Sequence, residues 1–529
     1  MSAHPWWQTT VIYQIYPRSF MDSTGNGIGD LPGITSRLGY LADTLGVGAI
    51  WISPFYPSPM ADFGYDVADY TDVHPMFGNI NDFDTLVDAA HSRDLKVIID
   101  WVPNHSSDEH PWFGESRSSR DNPKRDWYIW RDPKPDGSLP NNWLSFFGGP
   151  SWEYDKPTGQ YYLHSFLTKQ PDLNWRNPEV QEAMFEGLQF WLDRNVDGFR
   201  IDVAHVVMKD PDLRDNPPAP EGWKNKFKSH GEYDKYLHIH DKGHADNHQL
   251  FRDFRALLNS YQPERYSVGE IHIPDWGEWA SYYGEDLDEL HMPYNFSLIH
   301  APWAADDIAS RVNAMEAVLP EGAWPNHVLG NHDEKRLISR IGADAARVAA
   351  MLLLTLRGTP TIYYGDEIAM TEADIAPEDQ QDPWGRRLPG AGRDGCRTPM
   401  QWDRTDHAGF STAPTWLPIS ADHVDRNVAA QLDDPLSSLN LHRALLAYRK
   451  ASLPLQAGTY EQIESPDGSY VFIREAGAQR VLVALNFTDD DLALPALGGR
   501  VALSTHGDRD DEAAPQTLRG NEGLIVELP

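Results

Sequence analysis

A chain of 529 residues with a single cysteine, Cys396, cannot build a disulfide framework. Cross-links are therefore not what holds it together, and a reducing compartment suits it. Long apolar runs are missing as well: the longest, VAAMLLLTL at 348–356, is less than half of the about 20 residues that a membrane helix needs. The first residues, MSAHPWWQTTVIYQIY, carry neither the basic nor the apolar stretch that marks an exported chain. These absences predict a soluble, cytoplasmic protein with no membrane partner. Basic residues are scarce, with 45 Lys and Arg against 79 Asp and Glu, a formal charge of −34. Such a field repels nucleic acid and gives no steering toward phosphorylated ligands, so a small neutral ligand is expected. No P-loop, G-x-S-x-G or H-E-x-x-H motif occurs, and GNGIG fails the dinucleotide fingerprint because its sixth position is Asp30. Composition leaves the assembly as a monomer or a small homo-oligomer.

What the chain does have is aromatic side chains, including 19 Trp and 22 Tyr, many of them in polar, Pro- and Gly-rich stretches such as RDWYIWRDP and NNWLSFFGGPSWEY. Flat apolar faces with polar rims suit sugar rings, although any one of these rings also reads as an anchor for a long loop. Eight short apolar, β-branched runs, at 11–20, 48–55, 95–102, 196–204, 265–271, 289–297, 326–333 and 359–367, recur between amphipathic patterns such as ITSRLGYLADTL and PEVQEAMFEGLQFWLDR. Alternation of this kind predicts an α/β fold, a (β/α)8 TIM barrel. Residues 104–175 read as a small inserted, loop-rich domain, which divides the barrel into 1–103 and 176–454. Alternating strands in 455–529 predict a C-terminal antiparallel β-sandwich.

Residues at the C-terminal ends of barrel strands converge on one mouth. There the third strand brings Asp100, the fourth Arg200 and Asp202, the fifth Glu270, and the seventh His332 and Asp333. Taken singly, each acid also reads as a helix cap or a solvated loop residue, and the Arg200–Asp202 couple in GFRIDVAH as a structural ion pair. Together they put several carboxylates on one site. Paired carboxylates are what a retaining glycosidase uses, one as nucleophile and one as acid/base. Asp202, on the same strand face as Arg200, is expected to stay ionised. Glu270, in SVGEI with no adjacent cation in sequence, is expected to hold its proton.

DWVPNH (100–105), GFRIDVAH (198–205), GEI (269–271) and NHD (331–333), in this order, resemble the four motif regions of the α-amylase superfamily of glycoside hydrolases. QPDLNW, VIYQIYPRSF and RTPMQWD are similar to its α-glucosidase and oligo-1,6-glucosidase branch, and the likeness spans essentially the whole chain. The resemblance implies Asp202 as nucleophile, Glu270 as acid/base and Asp333 as a third carboxylate. It further implies Asp62, Tyr65, His105, Arg200, His332 and Arg397 as the pocket for a terminal glucose, with an Asp62–Arg397 pair as its floor and exo-action on short α-linked saccharides. Arg393 lies close to Arg397 in the same loop. Val203, next to the nucleophile, matches branch members that accept α-1,6 linkages. Glu334 and Lys335 follow the third acid at positions suited to the leaving group. A glucosyl transferase or sucrose isomerase would share every one of these residues. A non-catalytic scaffold of the same family would be expected to lack the acids.

The mechanism so implied uses no catalytic cofactor. The loop DSTGNGIGD offers oxygens from Asp22, Thr24, Asn26, the Ile28 carbonyl and Asp30, as a calcium loop does, but Gly33 stands where a bidentate Glu would close the cage. A structural Ca2+ or Mg2+ and a metal-free turn are both compatible with it. His238, His240, His244 and His248 lack the spaced carboxylate or cysteine of a zinc site, and an exposed loop is expected.

Overall fold

The computed structural model describes residues 4–225, 231–387, 390–495 and 498–529. In chain order, β1 (Ile12–Ile15), β2 (Ala49–Ile52) and β3 (Lys96–Trp101) come first. A small antiparallel sheet follows, made of β4 (Trp130–Arg131), β5 (Trp152–Asp155) and β6 (Gln160–Leu163) in the order β4-β6-β5. Then come β7 (Gly198–Ile201), β8 (Tyr266–Glu270), β9 (Met292–Tyr294), β10 (Asn326–Val328) and β11 (Thr359–Tyr363). The eight large-sheet strands pair in parallel in the order β10-β11-β1-β2-β3-β7-β8-β9, and the two end strands come back against each other. This is the expected (β/α)8 barrel.

Period-two alternation explains its two layers of packing. Ile12, Ala49, Trp51, Ile98, Tyr266, Val268 and Met292 point into the barrel and form one apolar cluster. Their neighbours Tyr13, Ile50, Ile52, Val97, Ile99, Phe199 and Ile201 point outward into the larger cluster shared with the helices. The helices are set by their caps. Asn79 and Asp82 close a capping box on Ile80–His91, Asn177 caps Pro178–Leu192, and Asp30 accepts from Gly33 N to open Leu31–Gly39.

The strands are shorter than the apolar runs suggest. β7 ends at Ile201, and Val203 turns into the left-handed region at φ 36°, ψ 46°, so Ala204 does not share a strand face with Arg200 and Asp202. A β-branched residue there is strained and has to be held by its surroundings. Likewise β1 stops at Ile15, and Pro17 opens a short helix, Pro17–Phe20.

The C-terminal region holds β12 (Thr459–Ile463), β13 (Ser469–Ala476), β14 (Gln479–Asn486), β15 (Leu492–Ala493), β16 (Arg500–Ser504), β17 (Thr517–Leu518) and β18 (Gly523–Leu528). Five of them form an antiparallel sheet in the order β12-β13-β14-β18-β16, and β15 pairs with β17. Tyr470, Phe472, Val481 and Val483 face the main core, while Val471, Leu482 and Ala484 pack with Leu494 and Leu518, so the second layer of the sandwich is a short two-stranded ribbon. Arg474 ties this sheet to the barrel: wholly buried, it donates to the carbonyls of Thr459 at 2.8 Å, Thr355 at 2.7 Å, Gly458 at 3.1 Å and Leu455 at 3.3 Å. Arg474→Leu leaves those carbonyls without a donor and is expected to cost about 2–4 kcal/mol, the range for several unmet buried hydrogen bonds. Urea denaturation checks this, with a lower midpoint as the expected result.

Candidate active site

Arg200 is the centre of the mouth. It is 1% exposed, it projects from β7 into the barrel, and it reaches three carboxylates. Nη1 donates to Asp202 Oδ1 at 2.8 Å and lies 3.5 Å from Asp100 Oδ1, while Nη2 donates to Glu270 Oε2. Val203 N–H donates to the same Glu270 oxygen at 3.2 Å, which gives the strained residue after Asp202 a task. His272 Nε2 lies 2.6 Å from the other oxygen, Oε1. The lack of a cation beside Glu270, expected from the sequence, is therefore corrected: β7 and the turn after β8 bring two basic side chains to it. Burial pushes Glu270 upward, but Arg200 and His272 outweigh burial and hold it down at about 2. Asp202 moves the other way. Burial raises it well above the usual carboxylate range, the Glu270 charge adds to that, and Arg200 opposes it.

Asp100 accepts from Trp51 Nε1 at 2.9 Å and Tyr65 OH at 2.8 Å, and burial lifts it to about 6 despite Arg200. Burial holds His332 down at about 3, so its ring is neutral. Gln14 Nε2 donates to Nδ1 at 2.8 Å, which leaves the proton on Nε2 and directs it at Tyr65 OH, 2.7 Å away. His105 is neutral for the same reason, lowered by burial to about 4, and its Nε2 faces Tyr65 O at 3.2 Å.

The floor differs from the expected Asp62–Arg397 pair. Asp62 Oδ1 accepts from Arg393 Nη2 at 2.8 Å, and Arg393 also donates to Asp333 at 3.0 Å and to Asp382. Arg397 instead donates to Asp333 Oδ1 at 2.9 Å and to the His332 carbonyl at 2.7 Å. The short 3-10 turn Asp394–Arg397 separates the two arginines, so one reaches the floor and the other braces the third acid. Burial works against an ionised Asp333, but the guanidinium groups of Arg393 and Arg397 hold it far below the usual range.

Asp202, Glu270 and Asp333 line one cavity of about 610 Å3, together with Asp62, Tyr65, His105, Val203 and His332. Arg200 and Arg397, expected to touch the ligand, are absent from that lining; they act from behind, through the carboxylates they hold. Glu334 lines the cavity, whereas Lys335 is exposed.

A family model described as Alpha amylase, catalytic domain, matches residues 14–458. The chain belongs to the alpha-amylase family. A curated relative named Probable alpha-glucosidase, from Rhizobium meliloti, is 47% identical over 92% of this chain and 90% of its own. An Oligo-1,6-glucosidase from Heyndrickxia coagulans is 39% identical over 99% of both chains. Among solved structures, an alpha-glucosyl transfer enzyme, XgtA, superposes with a TM-score of 0.94 at 43% identity and covers 99% of this chain and 100% of its own. The trehalulose synthase MutB from Pseudomonas mesoacidophila superposes at 0.90 with 34% identity and the same coverage. This alpha-amylase family protein is thus a glycoside hydrolase.

Several residues of the site carried no sequence signal. Asp382 lies in a polar loop with no motif, and His272 is a lone histidine two places after Glu270. The aromatic clusters split into both of their readings. Phe147 and Phe166 line the cavity, while Trp143 and Trp152 pin the inserted sheet through a small core of their own. The four histidines of 238–248 do not gather as a metal site. His238 sits 2.6 Å from Asp241, His240 3.5 Å from Asp210, His244 3.3 Å from Asp246 and His248 2.8 Å from Glu289, and all four are half-buried rather than in an exposed loop.

In the 22–30 loop the side-chain oxygens serve as hydrogen-bond acceptors. Asp22 accepts from Thr24, Gly25, Gly27 and Ser411, Asp30 from Ser23 and Gly33, and Asn26 from the Ile28 N–H, so the side-chain oxygens face hydrogen-bond donors. Among the described residues no group of three or more His, Cys, Asp or Glu is placed to hold a metal. No helix among them is long and apolar enough to cross a membrane.

Arg393→Ala removes the guanidinium partner of Asp62 and Asp382 and one of the two on Asp333. It is expected to cost about 3–5 kcal/mol, as for breaking a buried pair. Steady-state kinetics on a short saccharide would show a raised KM; an unchanged KM would remove Arg393 from the floor.

Proposed function

We propose that this protein is a retaining, exo-acting α-glucosidase that releases glucose from the non-reducing end of short α-linked gluco-oligosaccharides. The observation that carries the reading is one cavity lined by three carboxylates and by the buried Asp62–Arg393 pair, which we take as its floor. A neutral terminal sugar ends against that floor, and the acids act on the bond at its open side. Asp202 attacks the anomeric carbon to form a glucosyl ester, and Glu270 protonates the departing oxygen and later deprotonates water. Both carboxylates bond to one guanidinium, which keeps them as neighbours, and retention is proposed with them as nucleophile and acid/base. Asp333, held ionised by Arg393 and Arg397, binds sugar hydroxyls and favours the positive charge that develops at the ring. The relatives named alpha-glucosidase and oligo-1,6-glucosidase support hydrolysis.

Transfer of the glucosyl group to a sugar or alcohol is the second reading. It is favoured by the likeness to XgtA and to MutB, one of whose structures holds sucrose. Val203, which lines the cavity beside Asp202, is the residue from which α-1,6 acceptance is proposed.

Glucose release from maltose and isomaltose, measured in parallel with and without glycerol, tests these readings. Isomaltose is expected to match or exceed maltose in kcat/KM, and Asp202→Ala to abolish release from both. A clear preference for maltose would overturn the role of Val203, and an Asp202→Ala protein with full activity would overturn the nucleophile. Glucosyl glycerol as the main product would move the assignment to the transferase.

A further inference from the structure

Glu270 faces two demands that conflict. As a general acid it must carry a proton at neutral pH, yet Arg200 donates to Oε2 and holds the group ionised. A proton-bearing neighbour in contact with the carboxylate would meet both demands. Among the described residues, three groups are placed on the carboxylate: Arg200, the Val203 N–H and the His272 ring. Arginine and a backbone amide do not release protons in this range, whereas an imidazole does.

We propose that His272 is the proton-holding partner of Glu270, a positioning residue that stores at Nε2 the proton the acid/base passes to the leaving sugar. The proposal rests on the reading of Glu270 as acid/base. Its geometry is specific. Nε2 lies 2.6 Å from Oε1, on the side of the carboxylate away from Arg200. The ring is fixed by stacking on Phe296, with centroids 3.9 Å apart and planes 26° apart, and both residues line the catalytic cavity. The charged and titratable groups around the pair come from each neighbouring element. His205, from the turn after β7, lies 5.8 Å away ring to ring and is held neutral by burial. Lys242 and Glu334 line the same cavity, and His300 stands 3.8 Å from Glu334 behind Phe296.

The steps balance. His272 Nε2–H passes its proton to Glu270 Oε1, and Glu270 passes a proton to the glycosidic oxygen as the C1–O bond breaks and its electron pair leaves with the departing alcohol. Neutralising Glu270 removes the like charge that raises Asp202, so Arg200 is left to hold Asp202 ionised as its oxygen bonds to C1. In the second half water attacks C1, its proton goes to Glu270 and back to His272, and Asp202 leaves as a carboxylate.

The test compares wild type, His272→Gln, His272→Phe and Glu270→Gln on isomaltose and on 4-nitrophenyl α-glucoside, across pH. Gln keeps an N–H donor for Glu270 and Phe keeps the stacking, but neither stores a proton. The nitrophenolate leaves without protonation, so this substrate reports Asp202 and the fold alone. Both His272 variants are expected to lose on the order of 10²-fold in kcat/KM on isomaltose, within the range of general acid catalysis, with the alkaline limb moved to lower pH. On the nitrophenyl glucoside they are expected to stay within about threefold of wild type in glucosylation, since no proton transfer is needed there. His272→Gln with a wild-type pH profile on isomaltose would overturn the proposal. Equal losses on both substrates would reduce His272 to packing and overturn it too. If Glu270→Gln keeps its activity on isomaltose, the acid/base reading itself fails, which is a separate outcome.

Discussion

One guanidinium holds the active site together. Arg200 is buried where an unpaired ion would cost several kcal/mol, and its charge is answered by Asp202, Glu270 and Asp100. The arrangement works in both directions. Three carboxylates crowded into an apolar barrel mouth would repel one another and protonate, and the cation among them keeps part of that charge available for chemistry. The barrel supplies the rigidity: Arg200 points inward because Phe199 and Ile201 are committed to the outer core.

A second cationic centre closes the pocket. Arg393 gathers Asp62, Asp333 and Asp382, and Arg397 shares Asp333 with it. Arg200 and Arg397 therefore stand behind the acids, while Arg393 and Lys242 reach the cavity lining. A sugar bound there would meet carboxylate oxygens, imidazole rings, aromatic edges and the Arg393 guanidinium, with Arg200 and Arg397 out of reach behind the acids. An overall charge of −34 is compatible with this, since no part of the recognition depends on steering an ion.

The barrel was legible because its strands are buried on both faces and read as apolar runs between amphipathic helices. The three acids were legible because the C-terminal ends of strands must meet, so Asp202, Glu270 and Asp333 could be placed together without knowing any distance. Which arginine faces Asp62 was not, because Arg393 and Arg397 are one helical turn apart in a loop whose path no periodicity constrains. Protonation was hidden for a similar reason. Glu270 has apolar neighbours in sequence, and the two groups that set its charge state arrive from β7 and from the turn after its own strand. The short strands β15, β16 and β17 lie in polar, irregular stretches where alternation is too brief to show.

The central claim is that Asp202 forms a covalent bond to glucose while Glu270 manages the proton. Glu270→Gln protein mixed with α-glucosyl fluoride, whose leaving group needs no acid, should accumulate the glucosyl-enzyme, because loss of the base slows water attack. Peptide mass spectrometry of the quenched mixture tests this directly. The account predicts a glucosyl group on the peptide containing Asp202, absent in the Asp202→Ala, Glu270→Gln double variant. Turnover of the fluoride with no adduct, or an adduct on another residue, would contradict it.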